Sequence, residues 1–598
     1  MATDKQRQTL GDLPTWDLSD LYAGPDDAAI DADMKAGGEA ALAFEKEFKG
    51  KLAKLSGKAF GAAIQRYEAM QEELGKAGSY AQLLYAGDMT DAKVGRFYQA
   101  IQERITDITS HLLFFTLEIN KLDDAVYDKL VTAAAVKRYK PWLDDVRAFR
   151  AHQLSDEAET MLHELSVVSD AAWSRLFDET IAGLRFQIGG EELTEAEALD
   201  LLSSKDGAKR KAAAEEISRV FKANEKLFSL ITNTLAKSKA IGDGWRHFAR
   251  PISSRNLANQ VEDEVVDALI AAVHEAYPRL SHRYYAMKAR WMGADKLDWW
   301  DRNAPLPQDH DRQIPWDEAR RTVLGAYGDF APEMATIAEG FFDKRWIDAP
   351  ARPGKAGGAF AHPTVTTVHP YVLLNYQGKT RDVMTLAHEL GHGVHQVLAA
   401  GQGPLLSSTP LTLAETASVF GEQLTFRRLL NTEKDAGRRR TILAGKVEDM
   451  LNTVVRQIAF CEFERRVHDA RRQGELTPDE IGDIWMTVQS ESLGPAFNFD
   501  DRYRVFWSYI PHFIHTPFYV YAYAFGDCLV NALYAHYQEA EAGFQERFFE
   551  MLKAGGSKRH KELLAPFGLD ASDPSFWSMG LGVIEGFIDE LEAADAAA

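Results

Sequence analysis

The chain has 598 residues, 45% of them hydrophobic, and carries 89 acidic against 68 basic side chains for a net charge of −21. Such an acidic balance argues against a partner of nucleic acid or anionic membrane, because either needs a basic surface to meet phosphate. Cys461 and Cys528 are the only cysteines, which excludes a disulfide framework and points to a reducing compartment.

The N-terminal stretch from Met1 to Thr9 is polar and lacks the apolar core of a signal sequence. No apolar run approaches the roughly 20 residues of a membrane span, so the reading is a soluble, cytoplasmic protein. Residues 1–25 form a polar leader in which Trp16 and Leu21 are the pins to the body. From 26 to 185 the pattern is helical. Ile101, Ile105, Ile108, Leu112, Phe115 and Ile119 recur at spacings of four and three, an apolar helix stripe. Trp173, Leu176, Phe177, Ile181 and Leu184 repeat it after the cap Ser169-Asp170, and both stripes are expected in the core. Phe186 to Leu193, with Gly189-Gly190 at its centre, suggests a small hairpin or loop, and Thr194 with Glu197 a capping box. This places a division near residue 190, between an N-terminal helical region (1–190) and a helical catalytic region (191–598).

Helices are expected to run on to Lys239 and to resume from Glu262 to Met292, followed by a short strand at Leu297–Asp301. Asn303 to Pro315 reads as a proline-punctuated loop, and Trp316 to Phe342 as helix. The glycine-rich run Pro353–Phe360 then precedes two β-branched segments, Thr364–Val368 and Tyr371–Tyr376, which predict one small sheet over about 355–376. Helix returns from Thr380 until a frayed tail at Glu592–Ala598, with Arg438–Arg440 as a solvated helix face.

Directly after the sheet comes Ala387-His388-Glu389-Leu390-Gly391-His392. Histidines four apart on a helix share a face and aim at one point, which suits the first two nitrogen ligands of zinc. Glu389 lies beside them, placed for a general base. Five residues alone are a weak signal, but three further features strengthen it. A catalytic zinc needs a third protein ligand, and Glu415 offers one within the mostly apolar helix-type segment Pro410–Glu422. Glu422, seven residues on, is placed to accept the free N–H of a zinc-bound histidine. The metzincin extension is absent, since His395 and Leu398 stand where Gly and His would be, so His395 reads as a packing or hydrogen-bonding residue. Finally, Tyr509 to Tyr523 concentrates phenols and imidazoles able to donate to an oxyanion; the bland alternative is an aromatic core stripe with satisfied hydroxyls.

Leu373–Gly378, His388–His392, Leu413–Ser418, Pro511–Phe513 and Phe518–Tyr523, with the leader Trp16–Tyr22, together resemble oligoendopeptidase F of the thimet-oligopeptidase-like zinc metallopeptidases. The resemblance spans nearly the whole chain. It implies a mostly α, ellipsoidal fold with a deep central channel and one small sheet beside the histidine helix. It also implies one zinc per chain held by His388, His392 and Glu415, with Glu389 as base. His512 and Tyr523, with Tyr521, match positions that stabilise the intermediate. Gly357, Gly358, Ala359 and Phe360 match an edge strand along which the peptide pairs, and His515 stands where the family has other residues. The expected activity is zinc-dependent cleavage of internal bonds in short unfolded peptides. Alternatives are a non-catalytic helical peptide-binding protein with a vestigial metal site, or a metallocarboxypeptidase on a related fold.

Overall fold

A computed structural model describes residues 10–166, 168–306, 313–539 and 542–596. The chain is mostly helical, as the dominance of i, i+3, i+4 apolar spacing requires. Seven short strands occur among the described residues: β1 (Phe186–Ile188), β2 (Glu191–Leu193), β3 (Leu297–Asp298), β4 (Ile347–Pro350), β5 (Phe360–His362), β6 (Tyr371–Tyr376) and β7 (Phe497–Asn498). Among the helices are, in chain order, α1 (Gly207–Trp245), α2 (Trp316–Phe330), α3 (Pro332–Asp343), α4 (Thr380–Ala399), α5 (Thr416–Thr432), α6 (Val455–Gln473) and α7 (Tyr521–Gln538). No helix among the described residues is long and apolar enough to cross a membrane.

The chain divides into two compact units, each built from three stretches: 1–150, 311–432 and 536–569 in the first, and 151–310, 433–535 and 570–598 in the second. The position near 190 therefore falls inside the second unit, at the β1–β2 hairpin.

In the first unit, the stripe from Ile101 to Ile119 is shared by two helices, Ala92–Ser110 and Leu113–Lys121. Ile101, Leu112, Phe115 and Ile119 are buried and pack with Phe44 and Phe60. The leader is held as expected: Leu21 is buried, and Trp16 packs edge-on against Tyr371 at 6.1 Å.

The sheet of this unit has strand order β4-β6-β5, with β4 parallel and β5 antiparallel to the central β6. It differs from the expected sheet in two respects. β4 comes from Ile347–Pro350, whose Asp and Pro hid it; a strand ending in proline is tolerated at a sheet edge. Thr364–Val368 is not a strand. It follows Pro363, Thr364 adopts φ +58°, and the Thr366 and Thr367 amides donate to Glu72 instead of to a ladder.

The glycine-rich run is fastened to this sheet by Lys355. Its fully buried ammonium donates to Asp348 Oδ1 at 2.6 Å and to the carbonyls of Asp348, Pro350 and Leu374. Burial pushes the ammonium down to about 8 despite the Asp348 carboxylate.

In the second unit, β1 and β2 form a hairpin, with Gly189 and Gly190 at φ +65° and +87°, and Thr194 and Glu197 close the capping box. The stripe from Trp173 to Leu184 does not become core. On its helix (Asp170–Gly183) only Phe177 is buried, against Phe228 of α1, while Leu176 is 38% exposed. Adjacent residues lie about 100° apart on a helix, so a single packing neighbour cannot cover both. β3 is only two residues long and pairs in parallel with β7, because Trp299–Asp301 turns into a 3₁₀ helix. Of the arginine run, Arg440 reaches Asp595 at 3.2 Å and is not a solvated residue. The C-terminal helix continues from Pro574 to Ala596 without fraying at 592, held by Arg283 on Glu592 and Trp291 Nε1 on Asp595.

Lys355→Met should lower stability by about 3 kcal/mol or more, since it strips one cation from a buried carboxylate and the donor from three carbonyls. Urea denaturation at neutral pH reads this directly.

Candidate active site

Asp382 caps the start of α4, accepting the amides of Gln377 and Lys379 at 2.8 and 3.0 Å. Leu386, Ala387, Leu390 and Val394 bury its apolar face, which turns His388 and His392 to the opposite side. The two rings stand 4.9 Å apart at 83°. The segment Pro410–Glu422 is two helices, not one, with the break at Glu415, so that residue projects from the turn where α5 begins. There Glu415 Oε2 lies 3.3 Å from His388 Nε2 and 3.4 Å from His392 Nε2. One ligand atom from each of the three residues falls within 4.8 Å of the others, a group that could hold a metal ion. Behind them, His388 Nδ1 is 3.3 Å from Glu422 Oε2, and Ser418 Oγ donates to Glu415 Oε2 at 2.8 Å.

Close helix approach makes this convergence possible. A Cβ on Gly391 would sit 2.5 Å from the Ala417 carbonyl oxygen and from Ser418 Cα, and one on Gly393 2.5 Å from the Phe341 ring of α3. Tyr327 of α2 fills the remaining wedge, donating to the Ala387 carbonyl while its hydroxyl lies against Gly421.

Glu389 is buried at 7% exposure, on the helix that packs against β5. Gln396 Nε2 donates to the Ala361 carbonyl at 3.2 Å, so α4 grips the edge strand at one residue. Of the predicted peptide-binding residues, Phe360 opens β5, while Gly357, Gly358 and Ala359 form the bend that leads into it. Asn375 Nδ2 fixes that bend through the carbonyls of Ala356 and Gly358. His395 is buried with its Nε2 3.3 Å from the Thr409 hydroxyl, and burial pushes it down to about 4.

In the second unit, His512 opens a short helix and its Nε2 lies 3.3 Å from the Tyr523 hydroxyl. The Tyr519 ring meets that of Tyr523 edge to face, with centroids 5.3 Å apart. Tyr521 stands apart from this group: its ring is fully buried and its hydroxyl accepts from Asn259 Nδ2 at 2.9 Å. His515 turns to Asp178 at 2.8 Å.

Residues 200–583 match the model of peptidase family M3, and residues 118–186 match that of oligopeptidase F. The chain belongs to peptidase family M3. It is thus a metalloendopeptidase, of the oligoendopeptidase F kind that its motifs resemble. Oligopeptidase PepF of Bacillus subtilis is 27% identical to this peptidase over 625 residues, covering 99% of this chain and 90% of that one. An oligoendopeptidase F homologue of Borreliella burgdorferi is 26% identical, with 98% and 99% covered. The crystal structure of oligoendopeptidase-F from Enterococcus faecium shares the fold, with a TM-score of 0.72 at 23% identity over 95% of this chain and 99% of that one.

The charges of the peptidase's His/Glu cluster are strongly coupled. Burial alone would push His388 down, but Glu415 and Glu422 outweigh it and hold the imidazole well above its usual range. Burial would likewise raise Glu415, yet the two histidines keep it well below the usual carboxylate range. Glu389 is raised, chiefly by burial, against the opposing pull of His388 and His392.

One residue of this region escaped the sequence reading. Phe518 holds φ +60°, and its amide donates to Glu464 Oε1 of α6 at 2.8 Å, while Arg255 Nε donates to the Pro517 carbonyl. A left-handed phenylalanine is strained and needs such clamps. Glu464 thereby sets the turn from which Tyr519 and Tyr523 project. Its flanking Phe460, Cys461, Phe463 and Val467, all buried, were the available signal of a carboxyl on an apolar helix face. Burial pushes Glu464 up to about 8.

Two outcomes follow for the peptidase. Gly391→Ala should cost about 1–3 kcal/mol by forcing α4 from α5, with bound metal lost in proportion, as urea denaturation and metal content per chain will read. The folded state holds a proton on Glu464 between pH 4.5 and about 8 that the unfolded chain releases. Its contribution to stability is therefore complete below 4.5 and is lost as the pH rises through about 8. Glu464→Gln keeps an acceptor for the Phe518 amide without a charge, so its Tm should fall less than that of the native protein across this window.

Proposed function

We propose that this peptidase is a zinc-dependent oligoendopeptidase that hydrolyses internal bonds of short, unfolded peptides. The observation that carries the reading is the convergence of His388, His392 and Glu415 on one point, with Glu422 behind His388. Two imidazoles and a carboxylate are a zinc donor set, and a carboxylate on the far nitrogen of a ligand histidine selects its tautomer and orientation. Zinc bound there would lower the pKa of a water and polarise the scissile carbonyl.

The chain's own residues do the rest. Glu389 takes a proton from the attacking water and returns one to the leaving nitrogen; its burial raises its basicity toward that task. Gln396, on the same helix as Glu389, donates to the Ala361 carbonyl, so the helix that carries the base is tied to the strand along which the peptide is proposed to pair. Phe360 begins that edge, and the Gly357–Ala359 bend keeps side-chain bulk away from it. His512 and Tyr523 donate to the oxygen that becomes negative in the tetrahedral intermediate, and Tyr521 braces their helix from the core. The names of the relatives, oligopeptidase and oligoendopeptidase, support short peptides as substrates. Two buried free thiols, Cys461 and Cys528, suit a reducing, cytoplasmic setting.

Glu389→Gln should retain zinc at one per chain and lose at least about 10²-fold in kcat on an internally quenched peptide, the usual worth of a general base. Near-native turnover in that variant would overturn the mechanism, and C-terminal trimming alone among the products would overturn the endopeptidase reading.

A further inference from the structure

A second feature lies in the second unit, in a small cleft lined by Tyr285, Arg302, Asn452, Arg456, Gln489 and Ser492 together with apolar side chains. It holds two guanidinium groups with no carboxylate partner among the described residues. Glu448, which exerts an attraction on Arg302, is itself paired with Lys288. Arg456 donates to the Tyr509 hydroxyl at 3.2 Å, but its Nε is buried with no acceptor. Burial and the neighbouring charge of Arg302 both act against the charged form of Arg456. Gln489 is 1% exposed; its carbonyl oxygen accepts the Tyr503 hydroxyl at 3.1 Å, which leaves its buried Nε2 without a partner.

Arginine does not deprotonate in proteins, so two half-buried guanidiniums lining one cleft repel each other at a cost that an anion between them would relieve. The exposed donors are of the kind that recognise planar oxyanions, a guanidinium fork and an amide N–H.

We propose that Arg302, Arg456 and the Gln489 amide form a binding site for a carboxylate-sized oxyanion. The position of the cleft favours the C-terminal carboxylate of a bound peptide as its source. Tyr509, which Arg456 holds, is three residues before His512, and the Arg456 charge also acts on the His512 imidazole. This assignment rests on the proposed peptide hydrolysis; a free anion such as phosphate offers the same chemistry and does not.

The test uses the full-length, zinc-loaded protein in two arms. In the first, one internally quenched peptide is offered as the free acid and as the C-terminal amide. The acid should have a kcat/KM about tenfold or more above the amide, through KM, as the loss of a charge-assisted hydrogen-bond pair implies. In Arg302→Gln that ratio should fall toward one. In the second arm, Tm is compared in phosphate and in chloride at equal ionic strength. A larger phosphate shift in the native protein than in Arg302→Gln, with no preference for the acid, would keep the anion site and assign it to a free anion. Gln489→Leu, which leaves both charges, carries the comparison if Arg302→Gln does not fold. Equal handling of acid and amide, with equal phosphate shifts in native and variant proteins, overturns the proposal. Failure to cut either peptide would instead overturn the hydrolytic reading and leave the phosphate arm to judge the site.

Discussion

The His/Glu cluster depends on how closely α4 and α5 can approach. A carboxylate reaches two imidazoles on a neighbouring helix only if the backbones nearly touch, and they do so at Gly391, against the Ala417 carbonyl. Gly393 against Phe341 and Gly421 against Tyr327 extend the same contact to α3 and α2. The glycines between and after the two histidines therefore have a mechanical purpose as definite as the histidines' chemical one. Tyr327 makes the arrangement rigid, because its buried hydroxyl must donate somewhere and the Ala387 carbonyl is where it does so. His388 is thus preceded by a backbone atom held from outside its own helix.

The sheet enters the site through one residue. β5 is an edge strand, and Ala361 accepts Gln396 of α4 at its carbonyl. An edge strand normally presents a row of free backbone groups. Here one of them ties the strand to the helix that carries the histidines. Behind the strand, Lys355 and Arg352 converge on Asp348, with Lys355 also on the Leu374 carbonyl, so the glycine-rich bend cannot lift from β4 and β6. Flexible composition has been given a fixed path by a buried ion pair.

What was legible in the sequence follows from the range over which each determinant acts. His388, Glu389 and His392 share one helix face, which spacing alone dictates. Glu415 stood out because a carboxylate in an apolar stretch requires a reason, although the break that aims it came only from the structure. The hairpin at Gly189-Gly190 and the capping box at Thr194 were equally local. What was not legible is decided by a distant partner. Thr364–Val368 has strand propensity, yet Glu72, almost 300 residues earlier, accepts its amides. Leu176 fits an apolar stripe, but no neighbour covers it. Tyr521 and Tyr523 are indistinguishable by composition; one meets Asn259 in the core and the other His512.

Buried charge is the remaining thread, and it runs through one short segment. Glu464 is a carboxyl whose second oxygen has no partner, and it holds the strained turn at Phe518. Among the described residues Arg302 and Arg456 have no carboxylate partner, and Arg456 holds Tyr509. The two features bracket His512, one on each side in sequence. A fold selected for stability alone would replace such groups with apolar side chains of similar size, often at no loss. Their retention on both flanks of His512 fits a segment whose donors must be set before a substrate arrives, since preorganised dipoles in a dry site stabilise developing charge without reorganising. The same logic extends to the tyrosines here: Tyr519 and Tyr523 meet edge to face, so each ring restricts the other.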